Sequence, residues 1–320
     1  MGLSNTPKHW LEYRKALIGH YAKRLARHGK TPPCTLATME ETNAHISGLI
    51  QSGTPCMVAR FGGNEVRTCA EARAISLGAK RTFSRKIRTR MRLQAGFFPA
   101  TDDALNRFSH EMEACIGNLD VLGWWGSCLQ DYYLSKALDS GLLPHDLFMC
   151  SIASLEPYYY PEQPWSRMLE GKRVLVVHPF VDSISKSYEH RSEIWKGTDV
   201  LPDFELLLLK SVQTISGIED SRFSSWFEAL GYMKDCIERI PFDVAIIGCG
   251  AYGFPLASHV KQIGKQAIHL GGATQILFGV LGKRWESNPA VLRYRNEYWR
   301  RPSQEETPQS ASAVENGCYW

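Results

Sequence analysis

Residues 242–260, FDVAIIGCGAYGFPLASHV, constrain the fold more than any other stretch of this chain. Val244, Ala245, Ile246 and Ile247 form a short unbroken apolar run, the pattern of a strand buried on both faces of a parallel sheet. Gly248, Gly250 and Gly253 follow at dinucleotide-fingerprint spacing, and a helix comes next. The glycines permit a tight turn and close backbone approach, and the helix would aim its first amides at an anion.

The same strand-then-exit pattern recurs in TPCMVARFGGNE, LDVLGWWG, GKRVLVVHPFVDSI and KQAIHLGG, and DFELLLLK reads as another strand. Between these runs lie helical segments. Residues 38–52 form one, EVRTCAEARAI another, and residues 221–240 a third, with Phe223, Trp226, Phe227, Leu230, Met233 and Ile237 on one face. Strands alternating with helices predict an α/β fold: a Rossmann-like, mostly parallel sheet flanked by helices. A helical lead precedes it. Thr6-Pro7 starts that helix, Trp10, Tyr13, Leu17, Tyr21 and Leu25 mark its face, Gly29 stops it, and residues 30–35 are a linker. From about residue 300 the chain turns polar and reads as an extended tail. The expected organisation is a helical segment at 1–49, one α/β domain at 50–300 and a tail at 301–320.

Three chemistries fit the glycine turn: an NAD(P) site, another nucleotide-phosphate site, or a purely structural turn. A dinucleotide site places an acid at the end of the next strand, to hold a ribose hydroxyl. Here that end is His269-Leu270-Gly271-Gly272, without an acid. Ligands of parallel sheets gather at the carboxyl ends of the strands. Gly62 to Glu65, His178 to Ser183 and Gly248 to Gly253 could converge there.

In ARFGGNE, Glu65 falls at a helix start just beyond a strand, where the helix dipole favours its charge. It either caps the helix or holds a hard cation such as Mg²⁺ or Mn²⁺. Arg60 faces either a phosphate or a structural carboxylate. His178 and His269, at two strand exits, either contact a phosphate or sugar hydroxyl or order their loops. Residues 80–92 carry Lys80, Arg81, Arg85, Lys86, Arg88, Arg90 and Arg92 and no acid. They form a solvated helix face, or they draw in a polyanion, a diphosphate or an anionic membrane surface. No nucleic-acid-binding module surrounds them. GWWG, EPYYYPEQPW and KRW either pack internally or stack on a sugar or base.

The net charge of +4 does not by itself imply nucleic acid, and no apolar run approaches the ~18 residues of a membrane span. Nine scattered cysteines without a CxxC pair argue for a reduced, cytoplasmic chain rather than a disulfide framework. The first six residues fit an N-myristoylation pattern that many unrelated N-termini share, and no anchor is read from it.

ARFGGNE, the stretch from SLEPYYYPEQPW to VDSI, the block 242–285 and the terminal NGCYW together resemble bacterial proteins with a GT-D-type glycosyltransferase domain. The resemblance implies a GT-D-like fold, and a role in surface polysaccharide and glycan biosynthesis. It implies sugar transfer from a nucleotide-sugar donor to a glycan or lipid-linked acceptor, assisted by a divalent metal. Family members carry Arg-Phe-Gly-Asp-x-Glu at this exit. Laid on this chain, the Glu is Glu65, the Asp position is Gly63, and Asn64 lies between them. A metal would therefore rest on Glu65, helped by Asn64 or by Asp182, unless the chain belongs to a metal-independent branch. Arg60, Asn64 and Glu65 are the catalytic candidates. Gly62, Gly63, His178, Ser183, Gly248, Gly250, Gly253, His269, Gly271 and Gly272 are the nucleotide-binding candidates. An NAD(P)-linked oxidoreductase and a non-enzymatic polyanion-binding protein are the alternatives. The expected setting is the cytoplasm, with peripheral contact of residues 80–92 at the inner membrane face.

Overall fold

The computed structural model describes residues 6–26, 35–126, 128–218 and 220–320. The expected helix stop at Gly29, most of the linker at 30–35 and the N-terminal pattern at 1–5 lie outside them.

Seven strands, β1 (Cys56–Arg60), β2 (Val121–Trp124), β3 (Phe148–Ser151), β4 (Arg173–His178), β5 (Glu205–Lys210), β6 (Val244–Ile247) and β7 (Gln266–His269), form one sheet. Their order is β3-β2-β1-β7-β6-β4-β5, and every pairing is parallel. This is the Rossmann-like α/β arrangement expected from the alternation of strands and helices. In β6 all four residues are buried. Its alternate side chains feed two cores, with Ala245 and Ile247 on one face and Val244 and Ile246 on the other.

On the first face the helices Gly63–Ser76, Arg85–Gln94, Asp102–Ile116, Trp226–Glu238 and Gly253–Gln262 cover the sheet, and an aromatic group of Phe97, Phe108, Trp226 and Tyr252 fills the space beneath them. On the second face Trp165, Tyr158, Trp195 and Phe278 pack with the helix Met39–Ser52. That helix has a complete capping box at Thr38 and Glu41, and Ile46 and Ile50 sink into the core. The boundary expected at residue 49 thus falls inside an element that belongs to the sheet.

Residues 301–320 are not an extended tail. They run in short turns along the carboxyl edge of the sheet, with Glu306, Val314 and Cys318 buried. The Glu306 carboxylate accepts from the amides of Asp182 and Ser183 and from the Ser183 hydroxyl, closing the start of the helix Val181–Tyr188. Trp320 donates its indole N–H to the Glu306 carbonyl at 3.0 Å. Part of the segment's polar composition is used in specific hydrogen bonds, while Gln304, Glu305 and Gln309 stay exposed. The strand β3 and the helices Asp102–Ile116 and Cys128–Asp139 had no counterpart in the sequence expectations.

No helix among the described residues is long and apolar enough to cross a membrane.

Candidate functional site

The carboxyl ends of β1, β4, β5, β6 and β7 open into one cavity of about 850 Å³. Exits of neighbouring strands lead to opposite faces of the sheet: β4 continues into Val181–Tyr188 on the second face, β6 into Gly253–Gln262 on the first. A crevice at such a reversal is where open parallel sheets bind ligands. The cavity has mixed walls. Arg60, Arg67, Arg90 and Arg284 supply positive charge, and Trp125, Phe180, Tyr252, Tyr319 and Trp320 supply ring surfaces.

The β1 exit is the most polar wall. The Arg60 guanidinium bonds the Glu156 carboxylate at 3.2 Å and the Leu270 carbonyl at 3.4 Å, and it lies 4.9 Å over the Trp125 ring. Burial lowers the Arg60 pKa and Glu156 opposes that shift. Trp125 is itself fixed by its indole N–H, which donates to the Phe61 carbonyl. Glu156 also accepts from the Tyr158 hydroxyl. One residue on, the chain enters the helix Gly63–Ser76 through an extended Gly62. The Glu65 carboxylate folds back over Gly62: a Cβ added there would lie 2.1 Å from Glu65 Oε2. Burial pushes the Glu65 carboxyl above the ordinary carboxylate range, while the amides of Glu65 and Asn64 and the Arg60 charge pull it down. Asn64 donates to Gln94 Oε1 at 3.1 Å.

The glycine turn after β6 works differently from the fingerprint expectation. A Cβ at Gly248 would meet the Gly271 carbonyl at 2.5 Å and Thr274 Oγ1 at 2.6 Å. One at Gly253 would meet His269 Nε2 at 2.4 Å. Both glycines are therefore required by the packing of β6 against the β7 exit. Gly250, at φ 60°, lines the cavity, and a Cβ there would meet the Ala95 carbonyl oxygen at an ordinary 3.6 Å. Between them a short 3-10 turn, Gly250–Tyr252, separates the strand from the helix Gly253–Gln262. Gly253, the first helical residue, packs on His269 and does not line the cavity, while its N-cap residue Tyr252 does.

His178 is 2% exposed, and its Nδ1 accepts from the Phe180 amide at 3.0 Å, so the neutral ring keeps its proton on Nε2. Burial lowers the pKa of His178 and of His269 to about 3. Gly271 (φ 60°) and Gly272 also line the cavity, the latter pressed so closely by Tyr319 that a Cβ would sit 2.5 Å from its ring.

Of the sequence candidates, Arg60, Gly62, Gly63, Asn64, Glu65, His178, Gly248, Gly250, His269, Gly271 and Gly272 meet around this cavity. Ser183 and Gly253 do not: Ser183 is bound to Glu306, and Gly253 packs on His269. Asp182 lies at the surface, 3.7 Å from Lys210. The basic run is divided among tasks. Lys80 pairs with buried Glu71 at 3.0 Å, Arg88 pairs with Asp102, Arg90 lines the cavity, and Phe83 and Ile87 enter the core. Residues 211–215, Arg284 and Glu315 complete the walls and were not singled out from the sequence. NGCYW was the one trace of the closing segment, and GWWG the one trace of Trp125.

These side chains do not fit a divalent metal. Among the described residues no group of three His, Cys, Asp or Glu side chains could hold an ion. The cavity carboxylates there are Glu65, turned onto its own helix amides, and Glu315, paired with Arg284. A hard cation needs several free oxygens. Cys249 is no candidate nucleophile, because burial pushes its thiol far above the ordinary range.

No family model matches the chain, and no curated protein matches it. A solved structure described as "Selenomethionine substituted structure of domain of unknown function 1792 (DUF1792)" aligns over 84% of this chain and 96% of that chain, at 12% sequence identity and a TM-score of 0.39. At that similarity no residue role passes from one chain to the other.

Proposed function

We propose that this chain is a glycosyltransferase that moves a sugar from a nucleotide-sugar donor to a glycan or lipid-linked acceptor. The observation that carries this proposal is the cavity itself. It joins fixed guanidinium groups to stacking rings at the carboxyl end of a parallel sheet. Breaking a glycosidic bond to a nucleoside diphosphate develops negative charge on the leaving group, and fixed positive charge stabilises it. Arg60, held by Glu156 and Trp125, and Arg284, which lines the same cavity, are placed for that task. His178 Nε2–H and the open turn at Gly250 offer neutral donors to phosphate or sugar oxygens. Glu65 is the carboxylate proposed to contact the sugar. No step runs through a metal, since the donor set does not fit one.

The NAD(P) alternative loses its support at the same exits. The place of the ribose-binding acid is taken by His269, and Gly253 at the start of the fingerprint helix packs on that ring instead of lining the cavity. The exposed side of the basic run, Arg81, Arg85 and Lys86, is the face proposed to meet an acidic acceptor or the inner membrane surface in the cytoplasm.

A thermal-shift screen against UDP-, GDP-, CMP- and TDP-sugars and NAD(H), with and without Mn²⁺, tests this function, because a ligand that binds only the folded state raises its stability. Stabilisation by one sugar nucleotide, independent of Mn²⁺, is the expected result. Stabilisation by NADH alone would overturn it.

A further inference from the structure

We infer that the Arg284–Glu315 ion pair marks an anion subsite, in which the Glu315 carboxylate stands where a diphosphate binds. The inference deepens the nucleotide-sugar proposal and takes from it only the identity of the rest of the ligand.

Arg284 reaches the cavity wall from the turn Lys283–Trp285. Its guanidinium lies 4.8 Å from the Tyr319 ring and 5.6 Å from the Trp285 ring, contacts that fix its plane. Its backbone amide donates to the Cys318 carbonyl at 3.0 Å, so residue 284 and the closing segment are tied together. The Arg284 charge is felt at Arg60, where it disfavours the protonated form. Two guanidinium groups that repel each other across a cavity are the arrangement a doubly charged anion relieves.

Glu315 is the carboxylate that now meets Arg284, with Cys318 Sγ as a further contact at 3.7 Å. Its side chain is half exposed. Its backbone is unusual as well: Glu315 at φ 46°, Asn316 at φ 60° and Gly317 at φ 77° follow one another in the left-handed region. For Glu315 this conformation is unfavourable, whereas Asn316 tolerates it, and such strain collects at ligand clamps. Glu315 and Asn316 both line the cavity. A diphosphate that takes over the Arg284 fork displaces one exposed carboxylate and lets this turn relax, while Tyr319 stays packed on Gly272.

The test is isothermal titration of the full chain with inorganic pyrophosphate, UDP and GDP, comparing native protein, Glu315→Gln and Arg284→Gln, with near-UV circular dichroism as the folding control. Removing the competing charge in Glu315→Gln should tighten binding several-fold, and Arg284→Gln should weaken it about tenfold, the loss typical of one charge-assisted contact. A second variant, Glu315→Gly, removes the carboxylate together with the strain that binding relieves, and should bind more tightly than native protein but no more tightly than Glu315→Gln. Unchanged or weaker binding by folded Glu315 variants would overturn the subsite while leaving the glycosyltransferase proposal standing. Pyrophosphate binding that follows the expected order, with no affinity for any nucleoside diphosphate or sugar nucleotide, would keep the subsite and overturn that proposal.

Discussion

The β1 and β6 exits look alike in sequence, each a buried strand running into glycines and then a helix, yet they use their glycines for opposite purposes. At the β1 exit, Gly62 makes room for the flexible end of Glu65, an ionisable group in the cavity. At the β6 exit, Gly248 and Gly253 make room for backbone and for the buried His269 ring, which belong to the scaffold. A glycine after a strand reports a close approach. What approaches, a movable charged side chain or a neighbouring strand exit, decides whether the motif is a site or a joint.

The sharpest break of this comparison is Glu65→Gln. If the β1 exit carries the chemistry, transfer should fall on the order of a hundredfold, about 2.7 kcal/mol at the transition state. The Tm at neutral pH should not fall. The raised Glu65 pKa means that the neutral form favours folding, a contribution present at low pH and lost as pH rises through the folded value. The amide therefore removes a burial cost. Near-normal transfer rates in Glu65→Gln would take the β1 exit out of the mechanism.

Acidification tests the joint. His178 and His269 have pKa values lowered from 6.5 to about 3, so below pH 6.5 the unfolded chain takes up protons that the folded chain refuses. Stability is full above that pH and should fall towards pH 3, by about 1.4 kcal/mol per pH unit for each ring. Denaturant titrations across this window should show the slope, and His178→Asn should remove one proton's share of it.

The same substitution at the two exits should then give opposite results. Gly248→Ala forces a Cβ against the Gly271 carbonyl and should cost about 1–3 kcal/mol, read as a lower denaturation midpoint. Gly62→Ala displaces the end of Glu65 and should leave the midpoint nearly unchanged while lowering transfer activity. Equal losses of stability would erase the distinction.

The smallest effect belongs to the surface. Arg85, Arg88 and Arg92 changed together to Gln should lower stability by at most about 1 kcal/mol, since of the three only Arg88 forms an ion pair, with the half-exposed Asp102. The same variant should lose affinity for anionic vesicles if the basic face meets a membrane. Intact vesicle binding would place that contact elsewhere.

Much of the fold was legible in the sequence, and part of the site with it. Apolar runs such as VAII and VLVV declare buried parallel strands, because a sheet covered on both faces buries every residue of a run. Thr38 and Glu41 declare a helix start through bonds three residues apart. β3 was not legible because only Cys150 of FMCS is buried at this sheet edge, so the run lacks the pattern of a strand covered on both faces. Arg60, Glu65, His178 and His269 could be found because strand ends are local features that point to one side of the sheet.

The sequence by itself determined six of the seven strands, several of the helices between them and the edge on which a ligand gathers. Each of these follows from periodicity and capping within a few residues. The tertiary structure alone decided what each glycine faces, that a polar tail folds back as a wall, and that Arg60 and Arg284, more than two hundred residues apart in the chain, share one cavity. Those outcomes depend on contacts between distant segments, whose loop-closure entropy is offset only when the whole sheet has formed.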